Sequence, residues 1–112
     1  MHKIETKGVN IVVTEAIETY VEKKLRRAFR HAENMIDHIK VNVSFESKTE
    51  AHIAEILVFL KSGQTVRNVA NTDDMYASID IACGGIERQL RKRKEKIIAV
   101  ERYQSIQDKV AM

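Results

Sequence analysis

Proline and tryptophan are absent from this chain, and cysteine occurs once, at Cys83. A single thiol can form neither an internal disulfide nor a thiolate-rich zinc site, so the fold must rest on its own core, and the composition suits a reducing cytoplasm. Without proline, helices must start and stop on capping side chains and on the four glycines. The longest apolar run, residues 56–60, falls far short of the ~20 residues that cross a bilayer. The opening Met1-His2-Lys3-Ile4-Glu5 has no apolar signal core, so export is not expected and the Asn42-Val43-Ser44 sequon is idle. What remains is ordinary: 112 residues, 44% hydrophobic and 31% charged, enough for one globular domain.

The net charge of +3 is a poor guide to where charge lies. Residues 73–85 sum to −3 and residues 86–98 to +4. Lys23, Lys24, Arg26, Arg27 and Arg30 follow one another with no acid until Glu33. There is no repeat, linker or low-complexity tract.

Hydrophobic periodicity predicts a β-α-β-β-β-α order. Residues 3–13 read as a first strand, with Ile4, Ile11 and Val13 apolar and Gly8 at a turn or bulge. Thr14 offers an N-cap and Glu15 and Glu18 suit the positive end of a helix dipole. Ile17, Val21, Leu25, Ala28 and Ala32 then fall in an arc of about 80°, an amphipathic helix over 15–34. Residues 39–46 alternate faultlessly, which favours an antiparallel sheet with one wet face. Strands over 51–60, with Ala54, Ile56, Val58 and Leu60 inward, and over 65–71 flank a turn at 61–64. Thr72-Asp73-Asp74 caps a second helix whose inward stripe is Tyr76, Ile79, Cys83, Ile86, Leu90 and Ile97. Strands with helices gathered to one side make a two-layer α+β domain, a four-stranded sheet with both helices on one face. Tyr20, Phe29, Met75 and Tyr76 are expected in its core.

On the first helix, Lys23, Arg26, Arg27 and Arg30 lie opposite the apolar stripe, with Lys24 and His31 on its flank. On the second, Arg88, Arg91, Lys92 and Lys96 lie away from Leu90 and Ile97, with Glu95 among them. If the helices lie side by side, the stripes can merge into one basic surface suited to phosphates. A charged outer face is also what any solvated helix shows, and Glu22 with Arg26 makes an ordinary i,i+4 pair. Neither helix resembles a DNA recognition helix, and the wet face Lys40, Asn42, Ser44 and Glu46 carries no stacking aromatics. Enzyme chemistry has little to stand on. His2, His31, His38 and His52 lie in separate segments, Cys83 sits on an apolar stripe, Asp73 and Asp74 are explained as caps, and Gly84-Gly85 interrupts a helix rather than opening one. Nothing calls for a metal or a cofactor.

Asp74-Met75-Tyr76-Ala77-Ser78-Ile79-Asp80, followed by Ile86-Glu87-Arg88-Gln89-Leu90-Arg91-Lys92, resembles the second helix of the ribosome hibernation promoting factor family. Thr14-Glu15-Ala16-Ile17 with Tyr20-Val21 and Lys24-Leu25 resembles its first helix, and Glu55 with the Gly63 turn its central hairpin. The resemblance spans residues 1–98 and implies a non-enzymatic protein of the cytoplasm. Such a protein binds the decoding region of the small ribosomal subunit and its rRNA, and blocks messenger and transfer RNA in resting or stressed cells. Carried onto this chain, the rRNA contacts are Lys23, Lys24, Arg26, Arg27 and Arg30 on helix one, matched by charge and place. On helix two they are Arg88, Arg91, Lys92, Arg93, Lys94 and Lys96, with Arg88, Arg91 and Lys92 matching best. DNA and membranes are not expected partners, and the free protein is expected to be a monomer. The alternatives are a homo-oligomerising interaction module and a generic double-stranded RNA binder.

Two departures stand out. Cys83-Gly84-Gly85 falls where the family has helix formers, and two glycines at about 1 kcal/mol each predict a kink. Long family members add a dimerising domain for which this length leaves no room, so the resemblance is to the short forms, either a hibernation factor that helps ribosomes pair or a ribosome-associated inhibitor whose tail opposes pairing. The tail, 99–112, places Ala99, Tyr103, Ile106 and Val110 on a stripe opposite the helix-two core face. The helix therefore breaks near Ile98, or the tail is a frayed terminus, or its apolar side meets something else: the domain, a second copy or the ribosome.

Overall fold

The structure, a computed structural model, describes residues 3–111, with side chains described over 3–104. Its order is β1 (Lys3–Val9), α1 (Glu15–Ala28), β2 (Ile36–Glu46), β3 (Ala51–Leu60), β4 (Thr65–Thr72) and α2 (Met75–Ala111). The strands form one sheet in the order β1-β2-β3-β4. The two hairpins pair antiparallel, but β1 pairs parallel to β2, Ile4 opposite Ile39. The sheet is therefore mixed, because α1 is a crossover that returns the chain to the edge it left.

Local chemistry sets the boundaries. Gly8 lies within β1 rather than at a turn, and a Cβ there would press on the Ile11 carbonyl oxygen, 2.5 Å away. The chain turns two residues later at Asn10, at φ 58°, which shortens the expected first strand. Thr14 caps α1 by accepting from the Ile17 N–H at 3.2 Å. The helix stops at Ala28, well before residue 34, because Phe29 takes a non-helical conformation and buries its ring, and Ala32 is buried after it. The Asp74 carboxylate caps α2 by accepting from the Ala77 N–H at 3.2 Å.

A single core joins both helices to one face of the sheet. Ile17, Val21 and Leu25 of α1 and Ile79, Cys83, Ile86 and Leu90 of α2 meet Ile39, Val41, Val43, Ala54, Ile56 and Val58. Two members of the expected stripe lie elsewhere. Tyr76 is 39% exposed, its ring set edge-on against Tyr20 at 4.9 Å, and Met75 and Ala82 take the inner positions. Ile97 is 48% exposed because α2 outruns the sheet that should cover it. Every residue from Lys94 to Gln104 is exposed, and the helix continues unbroken to Ala111. At 1.5 Å per residue it is about 55 Å long, which accounts for the 64 Å long axis of the molecule. Tyr103 is exposed, whereas the side chains of Ile106 and Val110 lie outside the described residues.

Helix α2 also passes through Gly84 and Gly85 without interruption. The two differ in surroundings. A Cβ on Gly84 would meet only Arg88 Nη1 at 3.7 Å, whereas one on Gly85 would overlap the Asn68 carboxamide of β4. Gly85 thus allows the helix to lie close on the sheet, and Gly84 serves no packing purpose. Gly84→Ala is expected to stabilise the fold by about 0.8–1 kcal/mol through helix propensity. Gly85→Ala should lower the melting temperature, overpacking outweighing propensity by up to about 2 kcal/mol, and Asn68→Ala in the same chain should restore it.

Candidate nucleic-acid interface

The cations of α1 lie where the capping and apolar stripe put them, on the side away from the sheet. Lys23, Arg26 and Arg27 are exposed on α1, Arg30 is exposed in the turn just past its end rather than on the helix as expected, and with Tyr20 and Lys24 they line a shallow groove of about 460 Å³. Lys24 is only half-exposed, its ammonium 3.2 Å from the Asp80 carboxylate and 5.5 Å from the centre of the Tyr20 ring. Asp80 also accepts a 2.6 Å hydrogen bond from the Tyr20 hydroxyl. One acid on α2 therefore ties down two side chains of α1 and sets the spacing between the helices. That hydrogen bond, followed by partial desolvation and the Asp80 charge, pushes the Tyr20 phenol up to about 12. A raised folded-state value contributes stability that is complete below the ordinary value of 10.0 and is lost as pH climbs through about 12. Alkaline melting curves should show that loss across this window, and Asp80→Asn should flatten it.

The two helices bring their cations together at one place. Arg27 and His31 face Arg91 and Lys94 across a narrow cleft of about 100 Å³ floored by Ala28, Ala32 and Leu90. The Lys94 ammonium donates to the His31 carbonyl oxygen at 2.7 Å, and Arg91 reaches Glu87 at 3.2 Å, one turn back. Arg88 is exposed on the outer side of α2, with no partner among the described residues. Arg27, Arg91 and Lys94 thus meet at the α1–α2 junction and, with Arg30 on the adjoining groove and Arg88 on the outer side of α2, make up a basic seam.

The other α2 cations go elsewhere. Lys92, Arg93 and Lys96 lie toward the β3–β4 turn, where Arg93 is hydrogen-bonded to the Gln64 carboxamide oxygen. One run of sequence therefore supplies two surfaces on opposite flanks of the helix.

Sequence reasoning passed over Asp80 and Tyr20 as site residues, and also Lys61 of the turn. The signal for the latch was the pairing of Tyr76 with Asp80, one turn apart on the face that meets α1. The open face of the sheet also differs from expectation. Phe59, contributed by β3, lies against His38 with centroids 4.3 Å apart and planes 6° from parallel, and Lys40 sits 5.7 Å from its ring. Periodicity on β2 alone could not reveal an aromatic supplied by its neighbour. On the same face Glu55 accepts from Asn42 at 3.0 Å and from Arg67 at 2.7 Å, contacts that hold its carboxyl below the ordinary value.

Burial pushes the Cys83 thiol up to about 12, so it is not a thiolate near neutrality. No group of three or more metal-ligating side chains occurs among the described residues. No helix among the described residues is long and apolar enough to cross a membrane.

This architecture has relatives. The chain is 39% identical over 97 residues to a ribosome hibernation promotion factor from Picosynechococcus sp. (strain ATCC 27264 / PCC 7002 / PR-6), covering 84% of this chain and 50% of that protein. It thus spans about half the length of the curated relatives it matches. Its fold superposes on the Protein Y N-terminal domain of Thermus thermophilus at a TM-score of 0.72 and 37% identity, covering 82% of this chain and 98% of that one. A ribosomal subunit interface protein from Coxiella burnetii gives 0.75 at 29% identity, covering 85% and 99%. The family model for sigma 54 modulation protein / S30EA ribosomal protein matches residues 4–98, from β1 through the covered part of α2, and the chain belongs to that family.

Proposed function

We propose that this chain is a ribosome-binding inhibitor of translation that occupies the decoding region of the small subunit and excludes messenger and transfer RNA in resting or stressed cells. The observation that carries the reading is the basic seam, cations from two helices held at fixed spacing by a shared core. Spacing matters because phosphate contacts position a protein without reading sequence, and a rigid constellation selects one arrangement of folded RNA. Inhibition follows from occupancy alone, with no cofactor and no chemical step. The ribosome-binding unit is residues 1–98, and 99–112 is an appendage to it. In this reading the protein works in the cytoplasm as a monomer, with neither DNA nor a membrane as partner.

The test is a cell-free translation reaction charged with the purified chain. Inhibition is expected, together with competition between the chain and messenger RNA for purified small subunits. A plain RNA duplex should compete poorly. Equal competition by the duplex would make this a generic double-stranded RNA binder, and translation unaffected at saturating protein would contradict the proposal.

A further inference from the structure

Between the outer half of α2 and the β3–β4 turn lies a second open groove of about 780 Å³, on the opposite flank of α2 from the basic seam. Its floor is aliphatic: Met35, Leu60 and Ile97. Its rim is basic, with Lys61 on the turn and Lys92 and Lys96 on the helix, and no acid lines it. Arg93 also faces in, its guanidinium engaged by Gln64, so the groove is braced across its width by a hydrogen bond. Lys61, Lys92 and Lys96 have no side-chain partner among the described residues.

From this juxtaposition we infer that the groove docks an acidic peptide segment of another protein through a bulky apolar side chain. The apolar anchor would cover Met35, Leu60 and Ile97, and flanking carboxylates would meet Lys61, Lys92 and Lys96. Nucleic acid satisfies only half of this surface. Phosphates suit the rim, but no aromatic ring lines the floor for a base to stack on, and three aliphatic side chains would stay uncovered. A second copy of the chain is disfavoured by charge. Its α2 would bring another Lys92, Arg93, Lys94 and Lys96 against a rim already positive, and like charges across an interface are costly. The chain's own tail does not fill the groove either, because α2 runs unbroken to Ala111 and carries the tail away from the domain. Since the seam and this groove lie on different flanks of α2, RNA and peptide can be held together.

The inference is independent of the proposed function and is tested on the whole chain with a fluorescent peptide carrying Phe-Leu between runs of Asp and Glu. Controls are the same peptide with Ser-Ser at its centre and a labelled oligouridylate of equal length. The Phe-Leu peptide is expected to bind at least about tenfold more tightly than the Ser-Ser peptide, the least that burying one large apolar side chain supplies. Ile97→Asp, at a half-exposed position outside the buried core, should remove that advantage while leaving the melting temperature near that of the unaltered chain. Lys92→Glu with Lys96→Glu should weaken both peptides, and Arg88→Glu with Arg91→Glu should leave the Phe-Leu advantage intact. Equal binding of the two peptides would overturn the inference as mere charge attraction. It would equally be overturned if Ile97→Asp weakened oligouridylate instead, marking an RNA site. Sedimentation showing dimers that Ile97→Asp dissociates would assign the groove to a second copy.

Discussion

Replacing Arg88 and Arg91 together by glutamate is expected to abolish binding to small ribosomal subunits while leaving the fold intact. Both side chains are exposed on α2, and neither belongs to the core. The change takes the net charge from +3 to −1, removing two contacts with phosphate and putting two repulsive charges in their place. At about 0.1 M salt that should weaken binding by on the order of a hundredfold or more. Lys92→Glu with Lys96→Glu makes the identical change in net charge on the other flank of the helix. It should cost roughly tenfold or less, the residue of long-range attraction screened over about 10 Å. If the two double variants lose equal affinity, binding follows net charge and the seam has no privileged role. Translation still inhibited by the Arg88, Arg91 variant would show the site to be misplaced.

The second large effect is on stability. Leu90 is fully buried between Arg88 and Arg91 in sequence, and its side chain closes the bottom of the cleft between the helices against Ala28 and Ala32. Leu90→Ala should cost about 2–5 kcal/mol, the loss of burial plus the cavity left in a core of rigid elements. For a domain of this size each kilocalorie lowers the melting temperature by roughly 4–8 °C, so a fall of at least about 8 °C is expected in thermal unfolding. Leu90→Met, which keeps the volume, should cost less than about 1.5 kcal/mol. A wild-type melting curve for Leu90→Ala would mean that α2 is not anchored here. The basic seam would then lack the rigidity that the proposed function asks of it.

These three residues show what periodicity could and could not tell. Leu90 was legible as an inward position because three- and four-residue spacing reports a helix face, and the same spacing put Arg88 and Arg91 outside. The order of elements, the Thr14 and Asp74 caps and the inward set of β3 were legible for the same reason: each is fixed within a few residues of chain. What depended on distant partners was not. The parallel pairing of β1 with β2 follows from the route of α1 across the sheet. Ile97 continues the apolar stripe faultlessly, yet it is exposed because the sheet ends before the helix does. A wheel likewise put Arg91 and Lys92 on one outer face of the helix. Only the positions of α1 and of the β3–β4 turn assign them to different surfaces. The Asp80 latch escaped notice because an acid at the edge of a basic stripe has no periodic signature of its own.

The most direct test of the central claim is co-sedimentation of the chain with purified small subunits over a range of salt. With Arg27, Arg30, Arg88, Arg91 and Lys94 on phosphates, the logarithm of the association constant should fall linearly with that of salt concentration. The expected slope is roughly −3.5 to −4.5. It should become shallower by about 1 for each seam cation replaced by a neutral residue. Binding that does not respond to salt, or no binding at low salt, would contradict the account.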